Sequence, residues 1–195
     1  MKIHALTFPI CSYICKSRNN QNQNQKYKMN GFQEYNSPIF SFPPVADTQS
    51  KLLILGTIPG KESLRKNAYY AHPQNAFWKI IFTLLELPLS TDYQTRTASL
   101  LENGIALWDV LKMCNRETSL DTDIRSEFPN DIRGFLHSHP TITQLCFNGK
   151  GAARFFHKYF RDISLPKHVL PSTSPSHAIR WEQKLSDWQI IKNHG

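Results

Sequence analysis

The sequence has few cysteines, and none of them is spaced as a metal site or a disulfide scaffold requires. Its 195 residues include Cys11, Cys15, Cys114 and Cys146. These four lack the CxxC spacing of a zinc site and are too few for a disulfide-stabilised domain of this length. An iron–sulfur cluster needs converging thiolates, and we do not expect the polar tract that holds Cys11 and Cys15 to pack near Cys146. We therefore expect reduced thiols and a protein without a metal or organic cofactor.

Long apolar runs are also absent. No run approaches the ~20 residues that are needed to cross a bilayer. The apolar residues at the amino terminus are interrupted by Pro9 and lack the small-residue cleavage site of a signal peptide. The sequence therefore predicts a cytoplasmic protein with no membrane partner.

Acidic residues are scarce relative to basic ones. The chain has 23 Lys and Arg against 15 Asp and Glu, a formal charge of +8 at pH 7 and a sequence pI of about 9.4. Positive potential concentrates phosphates near a surface, so this balance favours a nucleic-acid partner over a merely basic protein. With 40% hydrophobic residues, the chain can bury one sizeable core, which predicts one folded domain and a monomer.

The amino-terminal residues 1–35 are predicted to form a polar, disordered extension, and residues 36–195 the folded domain. The tract SRNNQNQNQKYK is rich in amides, which bury too little surface to offset the entropy cost of ordering. Met29 directly follows this tract and is an alternative start. The next segment, NSPIFSFPPVAD, is predicted to be extended because its prolines fix φ.

Four short apolar runs predict strands that are buried on both faces: KLLILG, GIALWDV, TQLCFNG and KHVLPS. Segments of helical periodicity, such as NAFWKIIFTLLEL and KGAARFFHKYF, separate them. This alternation predicts an α/β fold, a three-layer α/β/α sandwich around a central, mainly parallel four-stranded sheet. Ligands of such sheets bind beyond the carboxyl ends of the strands, here after Leu55, Phe147 and Leu170.

The glycine-rich loop after the first predicted strand does not match the familiar phosphate-binding loops. Gly56 and Gly60 enclose only three residues, and Pro59 among them has no N–H to offer a phosphate. Glu62 stands where a Walker loop carries its hydroxyl residue, and its charge would repel a triphosphate. The dinucleotide fingerprint GxGxxG is absent as well. The glycines therefore predict a tight turn that allows close backbone approach to a bulky ligand.

Four blocks of the sequence carry a resemblance to a known family: LILGTIPG, SLRKNAYYAHPQNAFW, FNGKGAARFF and LPSTSPSHA. In this order they resemble the hypoxanthine-DNA glycosylase (DNA-deoxyinosine glycosylase) family of the uracil-DNA glycosylase superfamily. The resemblance runs from about Pro38 to the carboxyl-terminal helix. It implies base excision repair: hydrolysis of the N-glycosidic bond of deaminated bases in DNA, chiefly hypoxanthine, after the base has flipped out of the duplex. It also implies that no protein partner is required, and in a prokaryote it places the enzyme at the nucleoid.

The resemblance also implies which residues are catalytic. Related members of the superfamily carry Asp or Asn at the position of Ile58, and isoleucine cannot hold the attacking water. Asn75, in HPQNAFW, is the candidate for positioning that water, although an asparagine before a helical segment is equally typical of a helix cap. Asn148 is the candidate that pairs with O6 or N1–H of hypoxanthine, with an Asn-Gly turn as the alternative. No lysine of the matching blocks lies in an apolar setting, so an imine mechanism is not expected and the enzyme should be monofunctional.

The remaining expected site residues fall into two groups. Aromatic faces and close backbone approach suit a flipped base, whereas small hydroxyls and a rigid proline loop suit successive phosphates. The aromatic residues could equally be plain core, and the serine-proline stretch a plain surface loop. The base-binding group is Gly56, Thr57, Ile58, Pro59, Gly60, Tyr70, His72, Phe77 and Phe147, and the DNA-binding group is Lys150, Ser172, Ser174, Pro175, Ser176 and His177.

Three alternatives remain open from the residues alone. The same fold could prefer uracil, particularly in mismatches, because pocket width decides between the two bases. A nucleic-acid-binding protein without catalysis is favoured by Ile58 and opposed by Asn75. An enzyme that binds small phosphorylated molecules would use Gly56, Gly60 and Gly149.

Overall fold

The computed structural model describes residues 38–192. The predicted extension over residues 1–35, with its alternative start at Met29, lies outside the described residues. In chain order the strands are β1 (Ile39–Phe40), β2 (Leu52–Gly56), β3 (Ile105–Asp109), β4 (Leu111–Asn115), β5 (Arg125–Pro129), β6 (Gln144–Asn148) and β7 (Lys167–Leu170). The α-helices are α1 (Lys61–Lys66), α2 (Phe77–Leu84), α3 (Tyr93–Glu102), α4 (Ile132–Ser138), α5 (Lys150–Tyr159) and α6 (Trp181–Trp188), and short 3₁₀ helices cover Asp121–Asp123 and Gln189–Lys192.

The four predicted apolar runs form one parallel sheet in the order β3-β2-β6-β7. The side chains of Leu52, Leu53, Ile54 and Leu55 in the central strand β2 are fully buried. Leu53 and Leu55 pack in one apolar cluster with α4 and α5, whereas Leu52 and Ile54 pack in a second cluster with α2, α3 and α6. The sheet is therefore covered by helices on both faces, which confirms the predicted three-layer α/β fold.

A second sheet was not predicted. Strands β1, β4 and β5 form a three-stranded antiparallel sheet in the order β1-β4-β5. Strand β4 follows β3 after Val110 alone, and only two of its five residues, Leu111 and Cys114, are buried. Such a short, half-exposed strand lacks the continuous apolar run that identified the central strands.

The carboxyl ends of the parallel strands lie side by side. In the registers of the sheet, Gly56 pairs with Asp109, Leu55 with Phe147, and Asn148 with Leu170. The last residues of all four strands therefore meet at one edge of the sheet, where an α/β fold places its ligand.

A membrane-spanning helix and a cluster of metal ligands are both absent from the residues that the structure describes. No helix within residues 38–192 is long and apolar enough to span a bilayer. The same residues contain no group of three or more His, Cys, Asp or Glu side chains placed to hold a metal ion.

The burial of β2 makes the first prediction. Substituting Ile54→Ala removes a fully buried side chain and should lower the free energy of unfolding by about 2–5 kcal/mol, because a cavity remains between the sheet and α2. The matched control is Val169→Ala in β7, where the side chain is 51% exposed and the loss should stay below about 1 kcal/mol. Urea unfolding measures both, and equal losses would contradict the assignment of β2 as the core strand.

Candidate active site

A cavity of about 520 Å³ lies at the carboxyl edge of the parallel sheet. Its walls are the loop after β2, the ends of β3 and β6, the segment before α2, the loop after β4 and the loop after β7. The structure brings most of the predicted site residues to this cavity: Gly56, Thr57, Ile58, Pro59, Gly60, Tyr70, His72, Asn75, Asn148, Ser172, Ser174, Pro175, Ser176 and His177.

Three predicted site residues lie outside the cavity lining. Phe147 is fully buried in the cluster on the α5 face of the sheet, where its ring packs 4.8 Å from that of Phe156. Phe77 is also fully buried and stacks behind Tyr70, with ring centroids 3.9 Å apart. The expectation that these two rings touch a base directly is therefore corrected: Phe77 supports Tyr70, and Phe147 belongs to the core. Lys150 is exposed at the first turn of α5, beside the cavity.

Asn75 lies directly before Ala76, the N-cap of α2, and lines the cavity. Its Oδ1 accepts a hydrogen bond from the Phe77 N–H at 3.0 Å, and its own N–H donates to the His72 carbonyl at 2.9 Å. The side chain is half-buried, and within residues 38–192 its Nδ2 makes no hydrogen bond. The hydrogen bond from Phe77 therefore fixes the orientation of the amide and leaves one donor group free at the cavity.

Asn148 joins the end of β6 to the loop after β7. Its Nδ2 donates to Thr173 Oγ1, and its Oδ1 accepts from the Thr173 N–H, both at 2.8 Å. Both residues are buried, with Asn148 9% and Thr173 1% exposed. The Thr173 carbonyl also accepts the Ala76 N–H at 3.0 Å, so the same residue anchors the segment that holds Asn75. Each polar atom of the Asn148 amide retains capacity for one more hydrogen bond at the cavity.

Arg116 and Asp121 form hydrogen bonds with the glycine-rich loop that follows β2. The Thr57 hydroxyl donates to Asp121 Oδ2 at 2.7 Å, and Arg116 Nη2 donates to the Pro59 carbonyl at 2.7 Å. Arg116 Nη1 lies 4.0 Å from Asp121 Oδ1, and the arginine side chain is 1% exposed. Burial raises the pKa of Asp121, and the Thr57 hydrogen bond and the Arg116 charge oppose that shift.

Asp109 lies at the bottom of the cavity as the last residue of β3. It is 3% exposed, and the Ser41 hydroxyl donates to its Oδ2 at 3.2 Å. Burial raises the pKa of the Asp109 carboxyl to about 7; the Ser41 hydrogen bond and the Arg116 charge oppose the shift, and the Asp121 charge adds to it. A Cβ on Gly56 would lie 2.4 Å from Asp109 Oδ1, so only glycine permits this close approach.

Sequence reasoning missed Thr173, Asp109, Arg116 and Asp121. Asp109 had a readable signal, because it is the acidic residue that ends the apolar run of GIALWDV. Thr173 lies inside the predicted serine loop, but its burial depends on Asn148. Arg116 and Asp121 follow the unpredicted strand β4, about 60 residues along the chain from the loop that they support.

The raised pKa of Asp109 makes a prediction about stability. Its pKa rises from 3.8 to about 7 on folding, so the stabilisation from the bound proton is complete below 3.8 and is lost as the pH rises through 7. The free energy of unfolding of the wild type should therefore fall by about 2–3 kcal/mol between about pH 5 and about pH 8. Asp109→Asn carries no charge and should not show this fall. Urea unfolding at both pH values measures this change. The control is Asp187→Asn on the exposed side of α6, and an equal change in both variants would contradict the buried carboxyl.

Comparison with known proteins agrees with this geometry. Residues 43–192 match the family model of the uracil DNA glycosylase superfamily. The chain is 34% identical over 154 residues to a hypoxanthine DNA glycosylase of Methanosarcina acetivorans, covering 78% of this chain and 97% of that one. It is 35% identical over 148 residues to a hypoxanthine DNA glycosylase of Methanosarcina barkeri, covering 75% and 93%.

A solved structure is similar as well. The solution NMR structure of a candidate uracil DNA glycosylase from Methanosarcina acetivorans superimposes with a TM-score of 0.72 at 33% identity, covering 80% of this chain and 98% of that one. The family match spans most of the chain and includes every strand end that lines the cavity. This chain belongs to the uracil DNA glycosylase superfamily.

Proposed function

We propose that this protein is a monofunctional DNA glycosylase that hydrolyses the N-glycosidic bond of deaminated bases in DNA, chiefly hypoxanthine. The observation that carries the proposal is the free Asn75 amide at a cavity of about 520 Å³, in a chain that aligns with almost the whole length of two hypoxanthine DNA glycosylases. The proposal includes a monomer whose domain begins near residue 36, acts on DNA without an obligatory protein partner, and works in the cytoplasm, at the nucleoid of a prokaryote.

Hydrolysis requires a water molecule aimed at C1′ of the flipped nucleotide. Asn75 can hold this water, because Nδ2 is free to donate and Oδ1 has one lone pair beyond the hydrogen bond from Phe77. An amide is a weak base, so its role is to position the water rather than to take its proton. The water oxygen bonds to C1′, the C1′–N9 bond breaks with its electron pair moving to the purine, and the proton of the water is released to the purine or to solvent.

The departing base carries developing negative charge. The second Nδ2 hydrogen of Asn148 can donate to O6 of hypoxanthine, where part of this charge collects. Helix α5 begins directly after Asn148 and Gly149, and its ten residues direct the positive end of their dipole toward the same edge. Ile58 supplies an apolar wall, which excludes other waters from the reacting bond.

The loop after β7 is suited to contact the DNA backbone. Residues 175–180 are exposed, and the Ser174 and Ser176 hydroxyls lie 2.9 Å apart in one hydrogen bond. The largely buried Lys184 donates to the His177 carbonyl at 3.1 Å and fixes the far end of the loop. A rigid loop loses little freedom on binding, so its hydroxyls and His177 can meet successive phosphates at low entropic cost.

The role of Asn75 is tested by two substitutions. Asn75→Ala removes the amide and should lower the single-turnover rate of hypoxanthine excision at least about 100-fold, with a loss of about 1 kcal/mol of stability from the missing hydrogen bond to the Phe77 N–H. Asn75→Asp keeps the acceptor for the Phe77 N–H but removes the Nδ2 donor. It should therefore fold like the wild type but excise hypoxanthine more slowly.

The assay uses duplexes that carry hypoxanthine, uracil, xanthine or no lesion, followed by alkaline cleavage of abasic sites. Strand breaks at hypoxanthine with the wild type only would support the proposal. Breaks chiefly at uracil would assign the sister activity, and no breaks with any duplex would leave a nucleic-acid-binding protein without catalysis. Wild-type rates in both Asn75 variants would contradict the role of the amide.

The proposed DNA-binding face makes a separate prediction. Lys150→Ala removes an exposed charge next to the cavity and should weaken binding to all duplexes alike, reducing the slope of log affinity against log salt by about one unit. Lys51→Ala is the matched control, since Lys51 is equally exposed but precedes β2 at the opposite edge of the sheet. Fluorescence anisotropy over a salt series measures both, and equal slopes in the two variants would place the DNA elsewhere.

A further inference from the structure

A carboxyl group and a hydroxyl group converge on one point at the bottom of the cavity. The point where a Cβ of Gly56 would stand is 2.4 Å from Asp109 Oδ1 and 2.9 Å from Tyr70 Oη. Both residues line the cavity, and both come from separate parts of the chain, one from the end of β3 and one from the segment after α1. The absence of a side chain at Gly56 thus leaves room for both groups to lie side by side at the bottom of the cavity.

The Tyr70 hydroxyl oxygen is buried, and its proton has no acceptor among the described residues. Burial raises the pKa of this hydroxyl and the nearby Asp109 charge adds to the shift, whereas the Asn148 side chain opposes it by hydrogen bonding, so the hydroxyl keeps its proton and remains a donor. The Tyr70 backbone has φ +53°, a left-handed conformation that a bulky residue rarely adopts. A strained backbone that holds an unsatisfied donor inside a cavity is typical of a ligand-binding group.

Tyr70 contributes its hydroxyl group to the cavity, whereas one face of its ring is covered. Phe77 covers one face of the ring at 3.9 Å with an interplanar angle of 22°. The Trp78 indole donates to the Tyr69 carbonyl at 2.9 Å and fixes the preceding residue. Buried aromatic packing therefore holds the Tyr70 hydroxyl in position at the cavity.

We propose that Asp109 and Tyr70 determine substrate specificity by binding the lactam edge of the flipped base, the adjacent N–H and C=O that hypoxanthine presents as N1–H and O6. This inference rests on the proposed glycosylase function. The Tyr70 hydroxyl donates to O6, and the Asp109 carboxylate accepts from N1–H. Adenine presents the reverse pattern, an amino donor and a ring-nitrogen acceptor, so the Asp109 carboxylate faces another acceptor and the Tyr70 hydroxyl loses the oxygen to which it would donate.

Recognition of N1–H by hydrogen bonding depends on the ionisation of Asp109. The carboxylate accepts from N1–H, whereas the protonated acid offers a donor as well and discriminates less. Recognition of the lactam should therefore strengthen as the pH rises through the titration of Asp109. The titratable and charged groups that face this carboxyl are Tyr69 and Tyr70 after α1, Tyr93 in α3, and Arg116 and Asp121 after β4.

The test compares binding of two bases that differ only at this edge. Duplexes carry either hypoxanthine or unsubstituted purine, which lacks both O6 and N1–H, on a 2′-fluoro-arabino sugar that resists cleavage. The variants are Tyr70→Phe, which removes only the hydroxyl, and Asp109→Asn. The controls are Tyr93→Phe, whose hydroxyl accepts the Tyr69 N–H at 3.2 Å outside the cavity, and Asp187→Asn on the surface.

The wild type should prefer hypoxanthine to purine, and more strongly at about pH 8 than at about pH 6. Each variant should lower the affinity for hypoxanthine about tenfold or more and change the affinity for purine less, because purine has neither the O6 that accepts from Tyr70 nor the N1–H that donates to Asp109. Asp109→Asn should also abolish the pH dependence of the preference. Both controls should behave as the wild type.

Two results would overturn the inference: variants that bind both duplexes with wild-type affinity, or variants that lose affinity for both bases equally, which indicates a structural role. Thermal melting of each variant identifies any loss of fold. Excision from ordinary duplexes is measured in parallel. If the wild type excises no base, the proposed function fails; if it excises hypoxanthine but neither variant changes the preference, only the reading of the lactam edge fails.

Discussion

Parallel hydrogen bonding between β2 and its neighbours β3 and β6 positions the residues of the site that lie at the strand ends. The registers place Gly56 beside Asp109 and bring Asn148 to the same edge of the sheet. Because β2 is buried on both faces, its hydrogen-bonded neighbours cannot slip without moving apolar side chains out of the core. The chemistry of this protein therefore depends on a rigid apolar strand that contributes little polar surface itself.

The site combines structural and functional roles in the same side chains. The Asn75 oxygen accepts from the first residue of α2 while its nitrogen stays free, and Asn148 holds the loop after β7 while it faces the cavity. A helix cap and a catalytic amide were alternatives in the sequence; in the structure Ala76 is the N-cap, and the Asn75 amide bonds to the first residue of the helix and lines the cavity. Thr173 connects three parts of the site, because its backbone and hydroxyl form hydrogen bonds that link β6, the loop after β7 and the start of α2.

Sequence patterns predicted the central part of the fold because a strand buried on both faces leaves a continuous apolar run, and the runs ending at Gly56 and Asn148 are of this kind. They failed for β4 and β5, whose half-exposed residues give no such run and whose pairing depends on β1, far away in the chain. The cavity lining was largely predicted from motif resemblance. Arg116 and Asp121 were not, since their contacts with the glycine loop exist only after the antiparallel sheet has formed. Phe147 was misassigned because an aromatic residue next to Asn148 is one strand position away and points to the core.

The account places a flipped lesion between the glycine loop and the loop after β7, with the Asn75 amide at the reacting carbon. A crystal structure of the protein bound to a duplex with 2′-fluoro-arabino hypoxanthine tests this most directly. The account predicts the base inside the cavity, with a single water held between the Asn75 amide and C1′. A base that stays stacked in the duplex, or an Asn75 amide turned away from the sugar with no water between them, would contradict it.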